Sequence, residues 1–309
     1  MIAFLLIGGF LLLAAPGLLS TPRGHPAHWA RNFLVLQLVG FVLVEVGLLL
    51  WATPALLDLV GATDLAQVCR LMIGGVPGGW EAGAAAGIAA LALATLAARG
   101  AWRIGAAQRR LRVESWLGVH HCHPDHELVL LPVSQPVAYT VGGRPPQVVL
   151  SKGLIEAIGP EDTEAVHAHE VVHARRAHHR FLLAVGAVEA AFGWYPLVTR
   201  GVRMLRLALE RWADEEAGKV TVAGRVGVRR ALLAVTMVQL GSELAGFGAA
   251  ETVAERARAL LKPPPRSRMA FVAAGYLAVW SVALAALGSL AWATGMSLQA
   301  AATPGLCVL

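Results

Sequence analysis

A chain of 309 residues that is 56% hydrophobic and only 15% charged, with a mean hydropathy of +0.60, is too apolar for an ordinary soluble enzyme and reads as an integral membrane protein. Its formal net charge of +6 is explained by basic residues flanking apolar spans, so orientation in a lipid bilayer is expected and no direct nucleic-acid partner is. The three cysteines, Cys69, Cys122 and Cys307, show no C-x-x-C spacing; no cysteine zinc site or disulfide framework follows, and unpaired thiols are preferred over a Cys69–Cys307 bridge.

Residues 2–20 form a first apolar span of about bilayer length, with no Lys or Arg before it. That favours a membrane helix with its N-terminus outside over a cleaved leader. Residues 21–31, with Arg23 and Arg31, read as a short cytoplasmic loop, and residues 33–52 as a second span holding Gln37 and Glu45. A carboxylate at membrane depth is costly, so Glu45 is expected to be protonated and bonded to a neighbouring helix. The slightly negative stretch 53–80 is expected as an outer loop. Residues 82–98, rich in Ala and Gly, make a closely packing third span, and Arg99, Arg103, Arg109, Arg110 and Arg112 after it fix that end in the cytoplasm.

Residues 128–133, 137–141 and 147–151 read as short strands separated by Pro- and Gly-containing turns, and an edge of that sheet could hold an extended peptide by strand addition. The tract His120-His121-Cys122-His123-Pro124-Asp125-His126 lacks helical or tight-hairpin spacing and is expected as an irregular loop without a second metal.

The chemistry concentrates in residues 160–180, expected as one helix because Pro160 opens it, Glu161 and Asp162 follow in the first turn, and Arg175, Arg176 and Arg180 lie near its end. Within it, His169-Glu170-Val171-Val172-His173 is H-E-x-x-H. Two histidines four apart share a helical face and can aim at one zinc ion, with Glu170 beside the metal as general acid and base. Downstream, Glu210 and Asp214 form E-x-x-x-D. Glu210 completes a His-His-Glu ligand set with one open position, and Asp214 can hold a ligand imidazole. The competing reading, two chance histidines and a solvated acidic face, must explain both halves at once. His167 is read as structural, and His178 and His179 as a basic helix end.

Residues 181–193 are apolar but shorter than a span and are expected as a core or surface helix; a crossing there would put His173 and Glu210 on opposite sides. Residues 229–247 are expected as an amphipathic helix over the catalytic domain, residues 262–268 as a stiff basic linker, and residues 269–294 as a fourth span. The resulting fold class is a mainly α integral membrane protein with four transmembrane helices and an inserted cytoplasmic α+β zinc peptidase domain. Its parts are 1–112, 113–268 and 269–309, with both termini outside.

Three spans, an H-E-x-x-H domain and a fourth span resemble the BlaR/MecR family of membrane zinc metallopeptidases. The local text is similar too: Ala138-Tyr139-x-x-Gly142, Val149-Leu-Ser-Lys-Gly-Leu154, Trp194-Tyr-Pro-Leu-Val198 and Glu210-x-x-Ala-Asp214. The resemblance implies a gluzincin-like domain with His169, His173 and Glu210 as Zn2+ ligands, Glu170 as the catalytic residue, and a cytoplasmic substrate such as a winged-helix repressor of the BlaI/MecI kind. The chain stops soon after the fourth span, where signalling members carry a penicillin-binding sensor domain. A peptidase of the HtpX/CAAX type ranks second, since the interval from His173 to Glu210 leaves little room for a membrane hairpin. A non-catalytic receptor or scaffold keeping zinc as a structural element is the third reading. Oligomeric state is not encoded in any of these features.

Overall fold

The computed structural model describes residues 1–19, 24–73, 79–240 and 247–263, with positions 277 and 281. All of the expected fourth span but positions 277 and 281 lies outside the described residues, as do Cys307 and most of the expected linker. The fold is mainly helical with one small sheet. Helices are α1 (Ile2–Leu18), α2 (Pro26–Leu59), α3 (Thr63–Met72), α4 (Gly79–Glu114), α5 (Lys152–Ile158), α6 (Pro160–Arg175), α7 (His178–Phe192), α8 (Pro196–Val220), α9 (Gly224–Leu240) and α10 (Phe247–Leu261). Strands are β1 (Val119–Cys122), β2 (Glu127–Leu131), β3 (Ala138–Val141) and β4 (Gln147–Ser151).

Among the described residues, Pro26–Leu59 and Gly79–Leu117 are long and apolar enough to cross a membrane, and α1 is a shorter apolar helix of 17 residues. Large apolar side chains stay exposed on all three, including Phe4, Ile7, Leu11, Leu49, Ile88 and Leu91, a surface that lipid rather than water would cover. α2 starts earlier than expected because His25 caps it, its ring nitrogen accepting from Ala27 N at 3.3 Å, with Pro26 in the first turn. Residues 26–31 are therefore helical, not loop. The stretch expected as an outer loop likewise contains the end of α2 and all of α3, with Arg70 paired to Asp58. The basic run of residues 99–112 continues the α4 helix. Among the described residues, the buried Oε1 of Glu45 has no hydrogen-bond partner.

The sheet order is β1-β2-β4-β3, with β2 and β4 parallel and the outer pairs antiparallel. β4 is buried along its whole length, as a central strand with β-branched residues should be. The three expected strands are present within a residue or two. The histidine tract departs from expectation: residues 119–122 pair with 127–130 as a tight hairpin, closed by His123 N donating to His126 O at 2.9 Å.

α7 and α8 form an antiparallel hairpin packed on α1, α2 and α4. Leu13, Trp29 and Phe33 share one core with Val185, Val188, Phe192, Val198, Val202 and Leu205. Close approach requires glycine at two crossings. A Cβ on Gly17 would run into the carbonyl of Leu197, and one on Gly100 would lie 2.5 Å from Ala190 Cβ. Gln37, fully buried, donates from Nε2 to Val198 O at 3.5 Å, and Glu189 pairs with Arg206 across the hairpin at 2.5 Å. At about 1.5 Å per residue, α7 is roughly 22 Å long, too short to cross a bilayer, and α8 brings the chain back. The interval between His173 and Glu210 thus holds a helical hairpin packed against the apolar helices, with neither arm among the helices long and apolar enough to cross a membrane.

Candidate metal centre

α6 presents the site. Gly159, at φ 78, and Pro160 set its start; Asp162 in the first turn accepts from Arg230 of α9 at 2.7 Å, and Ala165, Val171, Val172 and Ala174 bury its inner faces. The helix ends at Arg175 rather than running to Arg180. Ala177 adopts a left-handed φ of 51 and α7 begins at His178, a turn that costs a Cβ-bearing residue some strain.

The expected residues converge. His169 Nε2 and His173 Nε2 are 3.0 Å apart, and Glu210 of α8 places Oε2 3.4 Å from the first and Oε1 3.5 Å from the second. One donor atom from each residue lies within 4.8 Å of the others. Zinc–nitrogen bonds of about 2.0–2.1 Å at tetrahedral angles separate two ligand nitrogens by roughly 3.3–3.4 Å, so the donor set fits a single ion after small adjustment. No helix between the two halves is long and apolar enough to cross a membrane.

Asp214, 2% exposed, reaches the far side of His169, its Oδ1 3.0 Å from Nδ1. This leaves Nε2 as the nitrogen turned toward His173 and Glu210. Arg256 of α10 donates to both Asp214 oxygens at 2.7 and 2.8 Å and lies 2.9 Å from Glu210 Oε2. Burial pushes the Asp214 and Glu210 carboxyls up, but Arg256 and His169 outweigh it at Asp214, and His173, Arg256 and His169 at Glu210; both end below the ordinary carboxylate range, Glu210 well below. Burial also disfavours charge on His169, yet Asp214 and Glu210 overcome it and raise its pKa to about 10. His173, with burial dominant, is lowered.

His178 is not a basic helix end. The break at Ala177 folds its ring, 1% exposed, onto His173 with the two Nδ1 atoms 2.9 Å apart and onto Trp212 at 4.8 Å between centroids. Burial, then His173, drops its pKa to about 3, so it is neutral and can accept the Nδ1 proton of His173. Glu170 is held by β3: Thr140 Oγ1 lies 2.7 Å from its Oε2 and 2.8 Å from its main-chain oxygen. β3 is an outer strand of the sheet, and Ala138 on it lines two cavities of about 260 and 210 Å³ that share His169, Glu170 and Glu210 as walls. Val228, Ala231, Leu232 and Val235 of α9 give the larger one an apolar wall; the helix expected over residues 229–247 begins earlier, at Gly224, and lines the site as far as Gln239.

Arg256 and His178 escaped sequence reasoning for different reasons. No spacing rule ties an arginine on α10 to Asp214, whereas His178 would have been caught had the helix been ended at Ala177. His167 faces the β1–β2 hairpin, its Nε2 3.4 Å from that of His126. No curated protein and no solved structure matches the chain. Residues 106–207, about a third of the chain, including His169, Glu170 and His173 and ending just before Glu210, are similar to Peptidase family M48.

Proposed function

We propose that the chain is a membrane-embedded zinc metalloendopeptidase that hydrolyses a cytoplasmic protein, with His169, His173 and Glu210 as ligands and Glu170 as the catalytic residue. The observation that carries this is the meeting of two imidazoles from α6 and one carboxylate from α8 around a point with Glu170 beside it. Zinc held there would supply Lewis acidity, polarising the scissile carbonyl and acidifying water. The chain's own groups do the rest. β3 offers main-chain groups to an extended peptide, and the two cavities receive side chains on either side of the bond. Glu170, steadied by Thr140, takes a proton from the attacking water and gives it to the leaving nitrogen. Asp214 and His178 hold the two imidazoles in register.

The resemblance to BlaR/MecR proteins makes a winged-helix repressor the first substrate to test, in a membrane whose inner side carries the site. A processing or quality-control peptidase of the HtpX/CAAX type is favoured by one observation, the α7–α8 hairpin packed on α1, α2 and α4. Purified protein in detergent, incubated with a peptide library and candidate repressors, should cut in a manner abolished by chelator and restored by zinc. Glu170→Ala should retain zinc and lose turnover. Cleavage by Glu170→Ala at the wild-type rate refutes the mechanism. Failure of a hydroxamate to bind the zinc-loaded wild type identifies a closed, structural site instead.

A further inference from the structure

We propose a second, histidine-built site for a divalent transition metal ion, between the β1–β2 hairpin and the back of α6. His126, 4% exposed, aims Nε2 at Nε2 of His167, 3.4 Å away. That is the separation of about 3.3–3.4 Å that two imidazoles take when they share one tetrahedral ion at about 2.0–2.1 Å. The tautomer suits this purpose. Asp125 Oδ1 lies 2.8 Å from His126 Nδ1, and Arg175 holds the other oxygen of that carboxylate. With its proton on Nδ1, His126 presents a lone pair at Nε2, the carboxylate–histidine–metal arrangement that raises ligand basicity.

A third imidazole is within reach. His123 stacks on His126 at 4.6 Å between centroids, with its centroid 6.3 Å from that of His167. It is exposed and opens the turn that its own backbone bond to His126 closes; a turn of its ring toward the pair would add a third donor, with water completing the shell. Imidazole nitrogens without thiolate or carboxylate ligands select zinc, nickel or copper over magnesium and calcium. His167 precedes His169 by two residues, roughly 200° around α6. One helix then carries an ion on each side, and the second one pins the hairpin to the element that presents the catalytic histidines.

Metal content of the stripped and zinc-reloaded full chain in detergent tests this without knowledge of any substrate. Wild type should hold two zinc ions, and the His169→Ala/His173→Ala double variant should hold one, with X-ray absorption showing two or three imidazoles on it. Asp125→Asn, an exposed change that spares the fold, should weaken the second equivalent 10- to 100-fold and leave the first unchanged. Saturation of wild type at one ion, or an unchanged second equivalent in Asp125→Asn, overturns the proposal. Both leave the peptidase reading intact, because the catalytic ion and turnover are scored separately.

Discussion

Replacing Asp214 with asparagine isolates what the carboxylate behind His169 contributes. The amide keeps the volume at a site 2% exposed and can still accept from His169 Nδ1, but it removes the negative charge that Arg256 contacts at 2.7 and 2.8 Å. Arg256 is then left with Glu210, 2.9 Å away, and draws that ligand toward itself. Loss of a hydrogen-bonded carboxylate behind a ligand imidazole typically costs about 10- to 100-fold in metal affinity, roughly 1.4–2.7 kcal/mol; competition from Arg256 for Glu210 places the expectation at the upper end. The metal-free fold should also weaken, by about 3 kcal/mol, the low end for breaking a buried pair because Arg256 keeps one anionic partner. Competition against a chelating fluorophore reads the first quantity and thermal unfolding of stripped protein the second. A zinc affinity within about twofold of wild type, in a folded variant, would refute the assigned role of Asp214.

Zinc loading near neutral pH should release a proton, because the pKa of about 10 at His169 keeps it charged in the stripped protein; calorimetry in buffers of different ionisation enthalpy measures it. The sign of the linked stability is opposite for the partners: the contribution of His169 is complete below its ordinary value of 6.5 and lost as pH rises through about 10, while those of Glu210 and Asp214, both lowered, are lost on acidification. Unfolding of stripped protein should therefore ease at both extremes, and a flat profile would contradict this. Thr140→Val should lower kcat about tenfold with KM little changed, since one hydrogen bond of about 1–1.5 kcal/mol orients Glu170; an unchanged kcat removes β3 from the catalytic arrangement. Gly17→Leu should cost about 1–3 kcal/mol by overpacking α1 against Leu197 and reduce zinc affinity as well, checked by unfolding and by metal titration.

The cluster of His169, His173 and Glu210 was legible because it obeys local rules. His169 and His173 are four apart, as are Glu210 and Asp214, and helix geometry alone puts each pair on one face. The strands were legible from β-branched runs between turns. What failed were the places where tertiary contacts override local pattern. A helix stop at Ala177, without Gly or Pro, is set by the docking of α7 on α4 and not by its own chemistry, and so His178 looked like a helix end. The hairpin at residues 119–130 was obscured because Pro124 suggests irregularity, whereas it sits in the turn, where proline is harmless. Arg256 had no local signature at all: it matters only because α10 lies across α8.

Those same overrides connect the apolar helices to the chemistry. α8 meets α1 at Leu197 and α2 at Val198, and thirteen residues later, about 20 Å along the same helix, it delivers Glu210 to the ion-binding point. Trp212, two residues after Glu210, is capped by Arg31 of α2 at 4.9 Å and by His178. A packed helix transmits displacement rather than absorbing it. The two histidines ride on α6 while their third partner rides on an element fixed to α1 and α2, so the ligand separations report how the apolar helices stand relative to α6. A shift of even 1 Å between them is half a metal–ligand bond length, enough to open the set, so the integrity of the centre depends on the packing of α8 against α1 and α2 as directly as on its own side chains.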